Sequence, residues 1–125
     1  IHDWDIRSAF DSNAGLDPAC VPVLLDMSPR WLGMCFRPSA TLAKPVVYGF
    51  KVGGEAYRMT VTGDAFQMEA GDPSQPDLSL SATGEQYLLF TYGRLNAADG
   101  IHLGRLSVDG DVSHLDQFEV WFKGL

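Results

Sequence analysis

Apolar and polar residues alternate in four stretches between residues 46 and 82. Successive side chains of a strand point to opposite sides, so the alternating apolar residues of each stretch share one face. This pattern predicts a hairpin-linked antiparallel sheet with one face rich in aromatic and methionine side chains. The residues on that face are Tyr48, Phe50 and Val52, then Tyr57, Met59 and Val61, then Phe66, Met68 and Ala70, and finally Leu78, Leu80 and Ala82.

Glycines mark the turns between these strands. Gly53-Gly54 separates the first two stretches, and a two-residue turn of this composition favours a positive φ at both glycines. Thr62-Gly63-Asp64 marks the next turn. Both turns support the prediction of consecutive hairpins.

Two helical regions are predicted before the sheet. Residues 1–16 contain a short helix. Asp17-Pro18 has the pattern of an N-cap followed by the first helical position, so a second helix begins there. Ser28-Pro29 repeats this signal and indicates either a further short helix or a kinked continuation. The expected inward residues of this region are Val21, Leu24, Leu25, Met27, Trp31, Leu32 and Met34.

Helices also follow the sheet. Thr83 and Gln86 have capping-box spacing, in which Thr83 accepts a bond from the Gln86 backbone N–H while the Gln86 side chain reaches back. They predict a helix over residues 84–92, and Asn96 caps another short helix.

The last predicted elements are a short fifth strand and a terminal helix. Leu106 and Val108 alternate in the strand, and Asp111 is positioned to cap a helix over residues 112–122. This helix is amphipathic and is expected to cover one face of the sheet. Its apolar residues recur at three- and four-residue spacing and are Val112, Leu115, Phe118, Phe122 and Leu125.

Strands that follow one another, with helices before and after them, are typical of an α+β domain. We therefore predict an α+β fold with a mainly antiparallel five-stranded sheet covered by helices. The 125 residues are enough for one domain with its own core.

Composition excludes some functions. A net charge of −7 and nine scattered basic residues argue against a nucleic-acid surface on this chain, because such a surface needs clustered Lys and Arg. No apolar run approaches the length of a membrane span, so we expect no membrane partner and a cytoplasmic location.

The two cysteines indicate the redox state of the protein, and the first residues indicate whether the chain is part of a longer protein. Cys20 and Cys35 allow one disulfide, but two reduced and mostly buried thiols are favoured because a domain of this size needs no staple. The chain begins Ile-His-Asp-Trp without a methionine or a signal segment, so we expect a fragment of a longer protein.

Catalytic motifs were not found in the sequence. The histidines His2, His102 and His114 have no partner at metal-ligand spacing, and Asp109 and Asp111 are interpreted as a turn residue and a helix cap. We therefore predict no catalytic site, no metal and no cofactor, and expect that the chain is not an enzyme.

Three segments carry a resemblance to a known fold. They are Pro-Asp-Leu-Ser-Leu-Ser-Ala-Thr at 76–83, Tyr-Gly-Arg-Leu at 92–95 and Gly-Arg-Leu-Ser-Val-Asp-Gly-Asp at 104–111. Together they resemble the sterol-carrier-protein fold over roughly residues 45–125. A narrower resemblance, through Asp17-Pro18 and Trp-Phe-Lys-Gly-Leu at 121–125, is to the sterol-carrier-like domain that follows the DNA-binding domain in winged-helix regulators of the HxlR type.

The resemblance implies a division and a ligand site. Residues 1–16 would link to a missing domain, and residues 17–125 would form the sterol-carrier-like domain. An apolar tunnel between sheet and helices would bind an apolar or amphipathic small molecule, with Tyr48, Tyr57 and Tyr92 offering hydroxyls to a polar head. The candidate lining residues are Phe50, Tyr57, Met59, Phe66, Met68, Leu88, Phe90, Tyr92, Trp121 and Phe122.

The expected function is therefore lipid-like ligand sensing within a bacterial transcriptional regulator. Two alternatives stay open: a dimerisation module without a ligand, since the same residues explain an ordinary core, or an accessory domain of an enzyme whose active site is elsewhere. Trp4, Phe10 and Trp31 lie outside the predicted core and either form an interface, as in a homodimer, or pack within the chain.

Overall fold

The computed structural model describes residues 1–123. Strands lie together with helices before and after them, which confirms the predicted α+β class. The elements in chain order are α1 (His2–Ser8), α2 (Val21–Cys35), β1 (Val46–Val52), β2 (Glu55–Val61), β3 (Phe66–Ala70), β4 (Leu78–Ala82), α3 (Gly84–Thr91), α4 (Ala97–His102), β5 (Ser107–Gly110) and α5 (Ser113–Trp121).

The sheet is mixed. Its strand order is β3-β2-β1-β4-β5, and β4 runs parallel to β1, with Tyr48 opposite Leu78. The other pairings within the described residues are antiparallel. The prediction of hairpins throughout residues 46–82 is therefore wrong for β4, because the chain crosses the sheet between β3 and β4 instead of turning back.

A glycine in β1 makes room for this crossover. A Cβ atom on Gly49 would lie 3.1 Å from Cγ of Pro73 and 3.4 Å from Cγ of Pro76. The crossover is also tied to β1 by Asp77, whose backbone N–H donates to the Val47 carbonyl and whose carboxylate accepts from the Val47 N–H, both at 2.8 Å. The crossing segment thus covers the sheet face opposite Tyr48 and Phe50.

The predicted apolar face is confirmed by the register. Phe50 pairs with Tyr57 and Tyr48 with Met59, so alternation places these side chains on the same face. The turn between β1 and β2 is different from the prediction. Only Gly53 has a positive φ, of 62°, so Gly54 does not need left-handed backbone.

Helix α2 is one helix through Pro29, so no further helix begins at Ser28. It begins at Val21, because the residues after Asp17 form a turn in which the Asp17 carboxylate accepts from the Ala19 N–H at 2.9 Å. An unbroken helix fixes which positions point inward. The buried residues are Ser28, Leu32 and Cys35, whereas Met27 and Met34 are exposed, contrary to the prediction.

The two cysteines are free. Cys35 is buried at the end of α2, and burial raises the pKa of its thiol. Cys20 is exposed, so the expectation of buried thiols holds for one of the two.

The caps after the sheet are partly as predicted. Thr83 Oγ1 accepts from the Gln86 backbone N–H at 3.2 Å, but the Gln86 Oε1 atom is buried without a hydrogen-bond partner among the described residues. The Asn96 side chain accepts from the Asp99 N–H at 2.8 Å, as expected of an N-cap.

Helix α5 begins one residue later than predicted. The Asp111 carboxylate accepts from the Ser113 N–H at 3.0 Å, and Val112 has an exposed side chain instead of an inward one. Leu115 and Phe118 are buried, as predicted, whereas Leu125 lies outside the described residues.

Helix α1 packs against the end of α3. Arg94 donates from Nε and Nη2 to the two carboxylate oxygens of Asp5, at 2.9 and 2.8 Å. The Trp4 indole N–H donates to the Ala14 carbonyl at 2.7 Å. Trp4 therefore packs within the chain, whereas Phe10 is 91% exposed. Within residues 1–123, no helix combines the length and apolar character needed to cross a membrane.

We expect the contact between α1 and Arg94 to weaken at acidic pH. The hydrogen bond from Arg94 holds the pKa of Asp5 below its ordinary value of 3.8. The contact therefore contributes stability above that value and loses it as the pH falls through the lowered pKa. We expect the Trp4 indole N–H resonance to shift in this acid range in NMR spectra.

Two variants check the assignment to Asp5. Asp5→Asn removes the carboxylate and should abolish the pH-dependent shift of the Trp4 resonance. Asp3→Asn is the control, because Asp3 is largely exposed and pairs with Arg7 within α1 at 2.8 Å, whereas Asp5 pairs with Arg94. A shift that persists in Asp5→Asn would contradict the prediction.

Candidate ligand-binding site

An aromatic cluster fills the space between the sheet and α5. Phe118 is at its centre, with its ring centroid 5.5 Å from Tyr48 and 5.8 Å from Phe50 on β1. The same ring lies 5.1 Å from Phe90 on α3 and 4.7 Å from Phe122. These contacts make Phe118 the link between the sheet, α3 and the end of α5.

The cluster continues to the edge of the sheet. Phe122 lies 5.3 Å from Phe36 and 5.0 Å from Phe66, and Phe36 lies 5.1 Å from Phe66. Phe36 and Phe122 also form an isolated β-bridge. The chain after α2 is thereby joined to the end of α5 through backbone as well as side chains.

A groove opens beside this cluster, between α5 and the segment that joins α3 to α4. Its volume is about 240 Å³, and its apolar wall contains Phe90, Leu95, Phe118 and Phe122. Its polar residues are Asn96, Glu119 and Lys123. One wall of the groove is therefore formed by the same rings that fill the interior.

A carboxylate holds the two sides of the groove together. Glu119 Oε1 on α5 accepts from the backbone N–H of Ala97, the first residue of α4, at 2.6 Å. An acid at the first turn of a helix satisfies one of the N–H groups that have no partner within the helix. Glu119 therefore fixes the distance between α4 and α5.

The predicted lining residues do not form one site. The buried ones are Phe50, Met59, Leu88, Phe90, Tyr92, Trp121 and Phe122, whereas Tyr57, Phe66 and Met68 are partly buried. Phe90 and Phe122 line the groove, and Phe50 lies behind it through its contact with Phe118.

Two of the predicted residues point elsewhere. Trp121 lies beside the loop before β1, where its indole N–H donates to Ser39 Oγ at 3.0 Å. Tyr92 stacks on Trp31 of α2, with ring centroids 4.3 Å apart. Trp31 therefore packs within the chain, and neither Trp121 nor Tyr92 lines the groove.

The interior tyrosines differ in how their hydroxyls are satisfied. The Tyr48 hydroxyl donates to the His114 carbonyl at 2.5 Å, so it is already engaged by α5. The hydroxyl of Tyr87 on α3 is buried without a hydrogen-bond partner among the described residues. Burial raises the pKa of both groups, which keeps them protonated at neutral pH.

Within residues 1–123, no group of three or more His, Cys, Asp or Glu residues is arranged to hold a metal ion. The groove is suited to an amphipathic molecule, since three rings and Leu95 form its apolar part and Asn96, Glu119 and Lys123 form its polar part.

Comparison with known proteins places the chain in a family. The profile of the SCP-2 sterol transfer family matches residues 41–123, which include the whole sheet, α5 and the groove. The chain belongs to the SCP-2 sterol transfer family. No curated protein sequence matches this SCP-2 family member significantly.

Solved structures share the SCP-2 fold at low sequence identity. The sec-alkylsulfatase Pisa1 from Pseudomonas sp. has a TM-score of 0.66 and 13% identity, and the match covers 75% of this chain and 15% of the alkylsulfatase. Sterol carrier protein 2 from Yarrowia lipolytica has a TM-score of 0.55 and 16% identity, with 86% and 79% of the two chains covered.

A third structure contains a ligand. Sterol carrier protein 2 from Aedes aegypti, in complex with the C16 fatty acid palmitate, has a TM-score of 0.58 and 18% identity, with 82% of this chain and 93% of that chain covered. The present SCP-2 domain thus spans most of the length of the carrier proteins but a small part of the alkylsulfatase.

Sequence reasoning missed three residues that the SCP-2 domain places at the site: Phe36, Leu95 and Phe118. The four-residue spacing of Phe118 from Phe122 had already placed both rings on the apolar face of the terminal helix, but Phe118 was not included among the lining residues. Phe36 and Leu95 lie outside regular elements, and no periodic signal in the sequence marks them.

Proposed function

We propose that this domain binds a hydrophobic or amphipathic small molecule whose apolar part lies along Phe90, Phe118 and Phe122. The observation that carries the proposal is the groove whose wall is continuous with the interior aromatic cluster. Membership of the SCP-2 family and the fold shared with a palmitate complex support it. The proposal assigns no catalytic step to the chain.

The ligand must displace α5 to be fully enclosed. The groove volume of about 240 Å³ is smaller than the roughly 300–1,000 Å³ of typical small-molecule pockets. The rest of the ligand would occupy space now filled by Phe118 and its neighbours. The proposed mechanism is therefore an outward shift of α5 as the ligand enters.

Four hydrogen bonds between α5 and sequence-distant parts of the described residues oppose this shift. They join the Tyr48 hydroxyl to the His114 carbonyl, the Ala97 N–H to Glu119, the Arg37 N–H to the Trp121 carbonyl, and the Trp121 indole N–H to Ser39 Oγ. A ligand can change the position of α5 only by its difference in affinity for the two arrangements. Ligand binding and the position of α5 are therefore coupled in this proposal.

The proposed role in the parent protein is the C-terminal effector part of a winged-helix transcriptional regulator. The net charge of −7 supports a division of labour in which another domain contacts DNA. A shift of α5 would then alter how the attached domains pack.

A second candidate is an accessory domain of an enzyme. It is favoured by the fold that the chain shares with a sec-alkylsulfatase, in which the matching region makes up only 15% of the length. Sequencing the parent gene upstream of Ile1 separates the two roles: a winged-helix domain supports the regulator, and a catalytic domain supports the accessory role.

A quenching experiment tests the groove itself. Phe122→Trp places an indole in the groove, and Val120→Trp places one on the exposed side of the same helix. Both variants keep the three native tryptophans as a common background. A long-chain alcohol brominated on its alkyl chain should quench the fluorescence of Phe122→Trp more strongly than that of Val120→Trp.

Two results of this experiment would contradict the proposal. Equal quenching of the two variants would place the ligand outside the groove. Absence of quenching in both, together with absence of lipid in organic extracts of the purified protein by mass spectrometry, would contradict ligand binding altogether.

A further inference from the structure

The Tyr87 side chain is an exception within the core. The residue is 1% exposed, and its hydroxyl is buried without a hydrogen-bond partner among the described residues. Buried polar groups of native proteins are nearly always hydrogen-bonded, so an orphan hydroxyl calls for a specific explanation. A ligand atom that accepts its hydrogen bond is one such explanation.

Other polar groups on buried rings show the usual behaviour. The Tyr48 hydroxyl donates to the His114 carbonyl, and the indole N–H groups of Trp31 and Trp121 donate to the Thr91 carbonyl and to Ser39. Among these rings the unpaired polar group is therefore particular to Tyr87, and the other buried side-chain atom without a partner within residues 1–123 is Oε1 of the neighbouring Gln86.

The surroundings of the Tyr87 hydroxyl are uncharged. Ser28 on α2 and Tyr57 on β2 are the side chains that affect the pKa of Tyr87, and both are neutral at physiological pH. The Ser28 hydroxyl is close enough to lower the pKa of Tyr87, but the Tyr87 hydroxyl has no hydrogen-bond partner among the described residues. A carboxylate or phosphate would lose its hydration there without gaining a counter-charge.

Tyr87 is also connected to the groove. Its ring makes an edge-to-face contact with Phe50 at 5.7 Å, and Phe50 in turn lies 5.8 Å from Phe118, which lines the groove. Phe90 follows Tyr87 by three residues, so both lie on neighbouring parts of one face of α3. A chain entering along Phe118 and Phe50 therefore leads to Tyr87.

We propose that Tyr87 is the anchor for the polar head of the ligand, donating a hydrogen bond to an uncharged oxygen such as a hydroxyl or carbonyl. The inference rests on the proposed function and narrows the ligand class to neutral amphiphiles. The alkyl part would lie along the groove and take the place of Phe118 once α5 has shifted, and the head would reach the Tyr87 hydroxyl behind Phe50.

The test compares two probes of nearly equal size, 1-dodecanol and tridecane, by displacement of a fluorescent apolar dye. In Tyr87→Phe the affinity for 1-dodecanol should fall roughly threefold to tenfold, the range expected for one neutral hydrogen bond. The affinity for tridecane should not change, because it has no head to accept the bond. Dodecanoate should bind the native protein more weakly than 1-dodecanol.

Tyr48→Phe is the matched control. It removes a buried hydroxyl that already has a protein partner, so stability should fall while the affinity ratio of the two probes stays the same. Tyr87→Phe removes an unpaired group, so its stability should stay equal or rise. These opposite effects separate the anchor from a general change in the core.

Each outcome decides between the proposals. If both probes bind and Tyr87→Phe leaves their affinity ratio unchanged, the head lies at the polar residues of the groove and the anchor is overturned. Tighter binding of dodecanoate than of 1-dodecanol also overturns it. If the native protein binds neither probe, the proposed function itself fails.

Discussion

Replacing Phe118 with alanine should lower the free energy of unfolding by about 3–5 kcal/mol. Phe118 is 1% exposed, and its ring contacts rings of β1, α3 and α5. The variant loses these contacts and leaves a cavity at the point where three elements meet. Urea unfolding followed by circular dichroism measures the change.

Val120→Ala is the control for this prediction. Val120 is on the same helix and is 68% exposed, so its truncation should change the free energy of unfolding by no more than about 0.5 kcal/mol. Both substitutions to alanine raise helix propensity, so the difference between them reports on packing. A Phe118→Ala effect as small as that of Val120→Ala would mean that α5 is not packed on the sheet as described.

The expected size of this effect matters for function. The ring that stabilises α5 also lines the groove, so a ligand that replaces its contacts must supply comparable apolar contact of its own. Burial of apolar surface contributes about 25 cal/mol per Å². A long alkyl chain has enough apolar surface to make a contribution of this size. In the proposed mechanism, the aromatic cluster therefore sets the smallest apolar area that a ligand needs in order to displace α5.

The apolar face of the sheet was predictable because alternating residues of a strand always point to the same side. Side chains two residues apart share a face whatever the neighbouring strand is, so Tyr48 and Phe50 had to lie together. The partner of β4 was not predictable in this way. The parallel pairing depends on Gly49 leaving space for Pro73 and Pro76, a contact between residues far apart in sequence.

The residue types of the site could be predicted from the sequence, but the directions in which their side chains point could not. Trp121 and Phe122 are neighbours, yet one contacts Ser39 and the other the aromatic cluster, because adjacent residues at a helix end point in different directions. The seven-residue spacing from Leu115 to Phe122, with Phe118 between them, carried the information that assigns Phe122 to the cluster.

The state of Tyr87 could not be read from the sequence. Whether a buried hydroxyl is paired depends on atoms of α2 and β2 that come near it only in the folded chain, such as those of Ser28 and Tyr57. The sequence places Tyr87 in a predicted helix and nothing more. Residues of this kind explain why candidate sites chosen by aromatic content alone remain incomplete.

Gly110→Ala should also be strongly destabilising, at about 2–6 kcal/mol when backbone strain and steric overlap are combined. Gly110 has a φ of 119°, and a Cβ there would lie 2.5 Å from the Asp77 carbonyl oxygen and 3.0 Å from Leu78 Cα. These are backbone atoms of the segment that pairs with β5, so they cannot move aside without separating β5 from β4. Because α5 follows β5 directly, the variant should also weaken binding of the 1-dodecanol probe.

Gly71→Ala separates strain from overlap. Gly71 has a nearly equal φ of 121°, but a Cβ there would have no atom within 4 Å. Its substitution should therefore cost only the backbone strain of about 1–3 kcal/mol, and it should leave probe binding unchanged. Equal destabilisation of the two variants in urea unfolding would show that β5 is not held against Asp77 and Leu78, and that the start of α5 is not fixed by this strand pairing.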